Sequence, residues 1–135
     1  GIFQYQESGR RWRYRYSRLN TEGDTYRTRV LSSGIFALMR DDIDPRVVLL
    51  KTASDYVDRL EMIGIRMLDK GKGIDDRTLT VEINGRAIEA EYDPDRRILK
   101  ILDLSNLKGG TNHIRAAVSD FGGNRTDRSF RIYLK

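Results

Sequence analysis

The chain has 135 residues, which is enough for one ordinary domain and a short piece of another. Hydrophobic residues make up 39% and charged residues 33%, so the composition is polar without being that of a disordered chain. Cysteine is absent and His113 is the single histidine, which excludes disulfides, thiolate catalysis and the common cysteine- and histidine-based metal sites. No run of about eighteen apolar residues occurs, so no transmembrane helix is expected.

The net charge of +5 is concentrated at the N-terminal end of the chain. Residues 1–40 hold eight arginines against Glu7, Glu22 and Asp24, whereas the remaining 95 residues carry 17 basic and 17 acidic side chains. Any long-range attraction to an anionic partner is therefore expected to come from residues 1–40. The chain begins with Gly1 rather than Met, and we expect it to be a piece of a longer protein.

Residues 1–40 alternate between apolar and polar side chains and predict a small β-meander. Its four candidate strands are Phe3–Tyr5, Trp12–Tyr16, Tyr26–Leu31 and Ile35–Met39. Four strands in so few residues bury little apolar surface, so we expect this piece to be the end of a preceding β domain or to pack on its neighbour. Residues 41–45 contain three aspartates and Pro45, which indicate a linker.

Residues 46–135 predict an all-β fold, an immunoglobulin-like antiparallel β-sandwich of about seven short strands separated by turns. The seven candidate strands are Val47–Leu50, Met62–Leu68, Leu79–Ile83, Ile88–Tyr92, Ile98–Leu102, His113–Ser119 and Phe130–Leu134. The segment Ala53–Leu60 shows little alternation and is expected to form a single helical turn or an irregular crossing.

Three turns have residues with specific backbone roles. Asn84-Gly85 predicts a type I′ hairpin turn, since both positions tolerate positive φ. Asp93-Pro94 closes the return strand by fixing φ and capping a turn. In the third turn Gly122-Gly123 supplies positive φ, and the side chains of Asp120 and Asn124 are expected to bond backbone groups.

The stretch Gly34-Ile35-Phe36-Ala37-Leu38-Met39-Arg40-Asp41, followed by Asp44-Pro45, resembles a junction in large exported bacterial proteins such as lysostaphin-type zinc metallopeptidases. In that group a β-rich module ends in such a strand, and a proline-marked linker leads into an Ig-like accessory domain. Five further motifs of those domains are matched in order: Asp69-Lys70-Gly71-Lys72-Gly73-Ile74, Ile83-Asn84-Gly85, Tyr92-Asp93-Pro94, Gly110-Thr111-Asn112-His113-Ile114 and Asp120-Phe121-Gly122-Gly123-Asn124. The resemblance implies a non-catalytic module, because zinc-binding histidine motifs are missing.

Four aspartates in predicted loops could meet at one end of the sandwich and bind Ca²⁺, which prefers about six to eight oxygen ligands. These candidates are Asp69, Asp75, Asp76 and Asp120. The competing interpretation is that Asp69 and Asp120 cap turns through their side-chain oxygens, and it is the one we favour. We therefore expect no cofactor, with Ca²⁺ as the alternative.

Basic and aromatic residues interleave in the N-terminal piece, namely Arg11, Trp12, Arg13, Tyr14, Arg15 and Tyr16. This composition is typical of single-stranded nucleic-acid platforms, but on a strand the two residue types face opposite sides, which disfavours nucleic acid. The aromatic row also suits a sugar, and the arginine row suits an anionic envelope polymer. The simplest interpretation makes the aromatic residues core and the arginines a solvated face.

No catalytic residues are expected. His113 is on the outward phase of its strand, and Glu89 and Glu91 have the spacing of any exposed polar strand face. The sequence thus favours a structural or interaction module of a larger exported protein, in the periplasm, at the cell surface or secreted, with neighbouring domains of the same chain as partners. The alternative is a module that binds carbohydrate or an anionic envelope polymer.

Overall fold

The computed structural model describes residues 1–50, 56–57 and 63–134, with only the backbone given at 56–57. The strands in these ranges are β1 (Ile2–Gln6), β2 (Arg11–Arg15), β3 (Ser17–Asn20), β4 (Thr25–Thr28), β5 (Phe36–Leu38), β6 (Arg46–Leu50), β7 (Tyr56–Val57), β8 (Gly64–Leu68), β9 (Ile74–Ile83), β10 (Arg86–Ala87), β11 (Ala90–Asp93), β12 (Ile98–Ile101), β13 (Gly110–Asp120) and β14 (Arg125–Leu134). A 3₁₀ turn, Glu7–Gly9, separates β1 from β2. Over the residues described, no helix has the length and hydropathy needed to span a membrane.

The crossing expected at Ala53–Leu60 falls on residues 51–62, of which β7 alone is described. The first residue of the strand expected at Met62–Leu68 also lies outside the described ranges, and β8 begins at Gly64.

Strands β6 to β14 form two facing sheets. One has the order β11-β12-β8-β6, and the other has the order β10-β9-β13-β14-β7. All neighbours pair antiparallel except β14 and β7, which are parallel. In chain order the sheets follow the A-B-E-D and C-F-G arrangement of an immunoglobulin domain, with β10 and β7 added at the two edges of the second sheet. The expected all-β, immunoglobulin-like sandwich is confirmed.

The core lies between these sheets and follows from the period-two alternation of their strands. On β13 the side chains of Ile114, Ala116 and Val118 are fully buried, whereas His113 and Arg115 are exposed. The opposite sheet contributes the fully buried Ile65, Met67 and Leu99. Each of the larger aliphatic side chains stabilises the fold by about 1.5–3 kcal/mol through burial, so the sandwich is the main source of stability.

The return strand after the Asn84-Gly85 turn differs from the prediction. The turn has the positive φ values of type I′, 52° and 80°, but β10 pairs with β9 over only two residues. The chain then crosses to the other sheet, where β11 pairs with β12. The end of the expected strand Ile88–Tyr92 therefore belongs to β11, whereas residues 88–89 form the crossing between the two sheets. Its apolar residues pack against the core, as expected. With β7 and β10, the described residues contain nine sandwich strands where seven were expected.

A buried amide joins the β12–β13 connection to the Asn84 turn. The side chain of Asn112 is fully buried. Its Oδ1 accepts hydrogen bonds from Asn84 Nδ2 (2.8 Å) and from the Lys108 N–H (3.0 Å). Its Nδ2 donates to the carbonyls of Lys108 (2.7 Å) and Gly110 (3.1 Å). All four hydrogen-bonding positions of the amide are used, as a buried polar group requires.

Residues 1–40, the N-terminal unit, contain a three-stranded sheet of order β2-β1-β5 and the separate hairpin β3-β4. Across β1 and β2, Phe3 pairs with Tyr14 and Tyr5 pairs with Trp12. Both ring pairs meet edge to face with centroids 5.4 Å apart. The unit thus has five strands where four were expected, because the expected strand Trp12–Tyr16 ends at Arg15 and the chain enters the second sheet at Ser17.

We expect Asn112→Ala to lower the free energy of unfolding by about 3 kcal/mol, because it leaves buried partners unpaired and opens a cavity. Urea denaturation followed by circular dichroism measures the change. Thr111→Ala, at the exposed neighbouring position, is the control and should change stability by less than about 0.5 kcal/mol. Equal effects of the two substitutions would contradict the role of the buried amide.

Candidate functional site

Three connections leave the sandwich at the same end. Arg46 pairs with Leu68, which places the start of β6 beside the end of β8. Ile74 pairs with Asp120, which places the start of β9 beside the end of β13. The linker (residues 41–45), the loop at residues 69–73 and the turn at residues 121–124 therefore lie together.

Each of these connections places one aspartate at the same point. Carboxylate oxygens of Asp41, Asp69 and Asp120 lie within 4.8 Å of one another. Asp41 is 7% exposed and Asp120 is 3% exposed, whereas Asp69 is half-buried. We call these residues the aspartate cluster.

Aspartate side chains stabilise the loop at residues 69–73 and the turn at residues 121–124 through hydrogen bonds to backbone N–H groups. Asp69 Oδ2 accepts hydrogen bonds from the N–H groups of Gly71 (2.8 Å) and Gly73 (2.7 Å). Asp120 Oδ1 accepts from the N–H groups of Gly122 (2.7 Å) and Asn124 (2.9 Å), and its Oδ2 accepts from Asn124 Nδ2 (2.8 Å). These are the local side-chain to backbone bonds by which aspartate holds a turn.

Asp41 reaches across from the linker to the loop at residues 69–73. Its Oδ2 accepts a hydrogen bond from the N–H of Lys72 at 2.6 Å, and its Oδ1 accepts a longer one from the N–H of Ile43 at 3.4 Å. The Asp41 carboxylate lies so close to Gly71 that a Cβ at position 71 would overlap it. Glycine is therefore required at position 71 by space rather than by φ.

The cluster places like charges together. Two unit charges 4.8 Å apart repel by about 3.5 kcal/mol at an effective dielectric constant of about 20. Burial raises the pKa of Asp69, and the charges of Asp41 and Asp120 raise it further, against the two backbone hydrogen bonds that lower it. Asp69 Oδ1 is buried and has no hydrogen-bond partner. This atom is the one unsatisfied polar side-chain group found among the buried side chains described.

Two surface cavities adjoin the cluster from different sides. One, of about 430 Å³, lies between the N-terminal unit and the sandwich and is lined by Asp41, Lys72 and Asn124 among others. The other, of about 230 Å³, is lined by Asp69 together with Tyr92 and other residues at this end of the sandwich.

The four aspartates singled out in the sequence do not all come together. Asp69 and Asp120 meet, and Asp41 takes the place expected for Asp75 and Asp76. Asp75 makes an ion pair with Arg77 at 2.7 Å, which lowers the pKa of Asp75, and Asp76 is exposed. Both are on β9, beyond the loop that carries Asp69.

The basic and aromatic row does not form one surface. Trp12 and Tyr14 are half-buried against the rings of β1, while Arg11 and Arg13 are exposed on the opposite face of β2. Arg15 donates two hydrogen bonds to the buried Gln4 Oε1.

Tyr16 lies outside β2 and is 72% exposed, so it does not continue the aromatic row. Its backbone carbonyl accepts a hydrogen bond from Thr28 Oγ1, which holds it at the start of the second sheet of the N-terminal unit.

The remaining predicted residues occupy turns or exposed strand faces. Asp93 Oδ1 accepts hydrogen bonds from the N–H groups of Asp95 (3.1 Å) and Arg96 (3.0 Å), so it holds the turn that contains Pro94. Glu89 and Glu91 are both exposed, with Glu89 in the crossing between sheets and Glu91 on β11.

Asp41 is the residue that the sequence-based candidate set lacks. In the sequence it is the last residue of the motif that starts at Gly34, and nothing in that motif marks it as a partner of Asp69 and Asp120. One feature of the sequence could have indicated the cluster. Three motifs end or begin with an aspartate beside a predicted strand end, namely Asp41, Asp69 and Asp120.

Known proteins resemble this chain in structure but not detectably in sequence. No protein-family model matches the sequence, and no curated protein matches it. Among solved structures, CopC from Methylosinus trichosporium OB3b is similar with a TM-score of 0.49 and 19% sequence identity, over 67% of this chain and 94% of that chain. The immunoglobulin-like fold is established by the strand order of the two sheets.

We expect Gly71→Ala to lower the free energy of unfolding by about 2–3 kcal/mol, because the added methyl group displaces the Asp41 carboxylate or shifts the loop. Thermal denaturation of both proteins measures the loss. Gly109→Ala is the matched control, since a Cβ there meets nothing within 4 Å, and it should be neutral within about 0.5 kcal/mol. A Gly71→Ala protein as stable as the control would show that the Asp41 contact is not required.

Proposed function

We propose that this chain is a non-catalytic, immunoglobulin-like module of a larger exported bacterial protein, and that it holds a preceding β-rich unit in a fixed orientation. The observation that carries the proposal is the linker, which is bonded along its length to the sandwich. An exposed and unbonded linker would instead leave the two parts free to reorient.

Four hydrogen bonds join the linker to the sandwich. Asp41 accepts through its carboxylate from the N–H of Lys72 and through its carbonyl from Asn124 Nδ2, the latter at 3.1 Å. Asn124 Nδ2 also lies 3.5 Å from the carbonyl of Ile43, and Thr126 Oγ1 donates to the carbonyl of Pro45. Asp41 and Pro45, the two ends of the linker, are both buried.

The N-terminal unit depends on this attachment for stability, because it buries little apolar surface of its own. Its buried side chains are few, with Phe3 and Gln4 the main ones, and several of its apolar side chains are exposed. Exposed apolar residues on this unit include Leu31 (92%), Leu38 (67%) and Ile35 (61%). Small β-sheets of this kind need a covered hydrophobic face for stability. This supports the proposal that the unit is the end of a preceding β domain.

Export and bacterial origin belong to the proposal and rest on the resemblance of the ordered turn motifs to those of accessory domains in exported proteins. A cysteine-free chain is compatible with such a location, though not specific to it. On this view the partners of the module are the domains of its own protein.

We expect Asn124→Ala to increase the rate of tryptic cleavage after Arg40 and Arg46, the exposed arginines that flank the linker. The substitution removes the side-chain donor to two linker carbonyls, so the opening free energy should fall by about 1–2 kcal/mol and the cleavage rate should rise about tenfold. Mass spectrometry of timed digests identifies both cuts.

Asn20→Ala is the matched control for this digestion. Asn20 caps the β3–β4 turn through its side-chain oxygen, which accepts from the N–H of Glu22, and it has no bond to the linker. It should leave cleavage at Arg40 and Arg46 unchanged. Rapid cleavage at both sites in the unsubstituted protein would contradict the proposed fixed orientation.

A further inference from the structure

The hairpin β3–β4 places two arginines directly opposite each other. Arg18 pairs with Arg27 in its register, and both side chains are exposed. Like charges at directly opposed positions of an antiparallel pair are destabilising, because their Cβ atoms are only about 4.5–5.5 Å apart. The pair lowers the stability of a hairpin that is only four residues long on each side, which indicates a role other than folding.

No acidic side chain is found to compensate this pair in the described part of the chain. The acids of the N-terminal unit are Glu7, Glu22 and Asp24, against eight arginines. Glu22 and Asp24 lie in the turn that joins β3 to β4, beyond the last residue pair of the hairpin. The ion pairs found among the described residues all belong to the sandwich. Both guanidinium groups are therefore available to an anion from outside the chain.

The arginine pair faces solvent rather than the sandwich. Successive side chains of a strand point to opposite faces, so Tyr26 and Arg27 are on opposite sides of β4. Tyr26 lines the cavity of about 430 Å³ between the N-terminal unit and the sandwich. The face that carries Arg18 and Arg27 thus points away from the sandwich, where a large ligand can reach it.

An exposed aromatic ring borders the pair. Tyr16 is 72% exposed, and its hydroxyl accepts a hydrogen bond from Arg18 Nε at 3.4 Å. The backbone carbonyl of Tyr16 accepts a second bond, from Thr28 Oγ1 at 2.7 Å, which fixes the ring at the start of the hairpin. The guanidinium of Arg18 is thereby held beside the ring, and its terminal N–H groups are left for an anion.

We propose that Arg18, Arg27 and Tyr16 form a binding site for an anionic polysaccharide. The two guanidinium groups bind carboxylate or sulfate groups of the polymer through charge-assisted hydrogen bonds, for which their planar fork is suited. The flat apolar ring of Tyr16 packs on the face of a neighbouring sugar. The inference goes beyond the proposed function, because it assigns a ligand to the N-terminal unit, and the binding does not depend on a fixed linker.

Nucleic acid is the competing polyanion for the same charges. Single-stranded nucleic-acid platforms stack successive bases on several exposed rings. Trp12 and Tyr14 are half-buried in edge-to-face contacts with the rings of β1, so β2 does not present such a row. One exposed ring beside two cations suits a polymer that is recognised by its charges and by one sugar face. These observations favour a polysaccharide.

The test is isothermal titration of the intact chain with polygalacturonate and with dextran sulfate, and with neutral dextran and oligothymidylate for comparison. We expect the anionic polysaccharides to bind and neutral dextran to give no heat. If each guanidinium neutralises one anionic group, the affinity should fall about tenfold as NaCl is raised from about 50 mM to about 200 mM. Binding of either polymer supports the proposal and identifies the anionic group. No heat with either one, or tighter binding of oligothymidylate, would overturn it.

The double variant Arg18→Gln/Arg27→Gln tests the arginine pair. Its affinity should fall at least about tenfold, whereas its melting midpoint without polymer should be unchanged or higher, because the like-charge contact is removed. Arg86→Gln/Arg131→Gln is the matched control, since it removes two exposed arginines of the sandwich and changes the net charge equally. The control should keep its affinity within about twofold. Equal losses in the two variants would show that net charge alone attracts the polymer, and the site would be wrong.

Tyr16→Ala tests the ring separately and keeps both charges. Its affinity for polygalacturonate should fall several-fold, while the dependence on salt should be retained. Tyr16→Phe is its control, because it keeps the ring and removes only the hydroxyl, and it should bind like the unsubstituted protein. Full affinity in Tyr16→Ala, or an equal loss in both variants, would contradict the packing of a sugar on this ring.

This proposal and the proposed function fail separately. If no anionic polysaccharide binds but the linker resists trypsin until Asn124 is substituted, the binding site is wrong and the fixed orientation stands. If the polymer binds through Arg18 and Arg27 while the linker is cleaved rapidly in every variant, the site stands and the fixed orientation is wrong.

Discussion

The meeting of three carboxylates at one end of the sandwich, two of them buried and one half-buried, is the constraint on which the arrangement of this chain depends. A buried carboxylate must be paired or hydrogen-bonded, and here each one is bonded to backbone N–H groups of the loop or turn it belongs to or faces. Meeting that requirement shapes the loop at residues 69–73 and the turn at residues 121–124. Through Asp41 it also determines where the linker lies.

The immunoglobulin-like scaffold makes this convergence possible. Because antiparallel neighbours run in opposite directions, the start of β6 lies beside the end of β8 in one sheet, and the start of β9 lies beside the end of β13 in the other. The short loop at residues 69–73 connects these two pairs. The hydrophobic core supplies the stability that holds the three aspartates in one place against the repulsion of their charges.

Period-two alternation and turn dipeptides were sufficient to predict the sandwich, because both are local properties of the chain. The crossing at residues 88–89, which shortens the strand expected at Ile88–Tyr92, could not be predicted, since alternation predicts which face of a strand is buried but not which sheet the strand joins. The same limit applies to the site. Asp69 and Asp120 are recognisable from their turns, whereas Asp41 meets them only through the pairing of distant strands, and nothing local distinguishes Asp75 from a ligand.

The central claim is that the N-terminal unit and the sandwich behave as one body through the linker. Differential scanning calorimetry of the intact chain tests it most directly, because separate units unfold separately. The account predicts a single transition in which the calorimetric and van't Hoff enthalpies agree. A distinct transition at lower temperature, corresponding to residues 1–40, would contradict it.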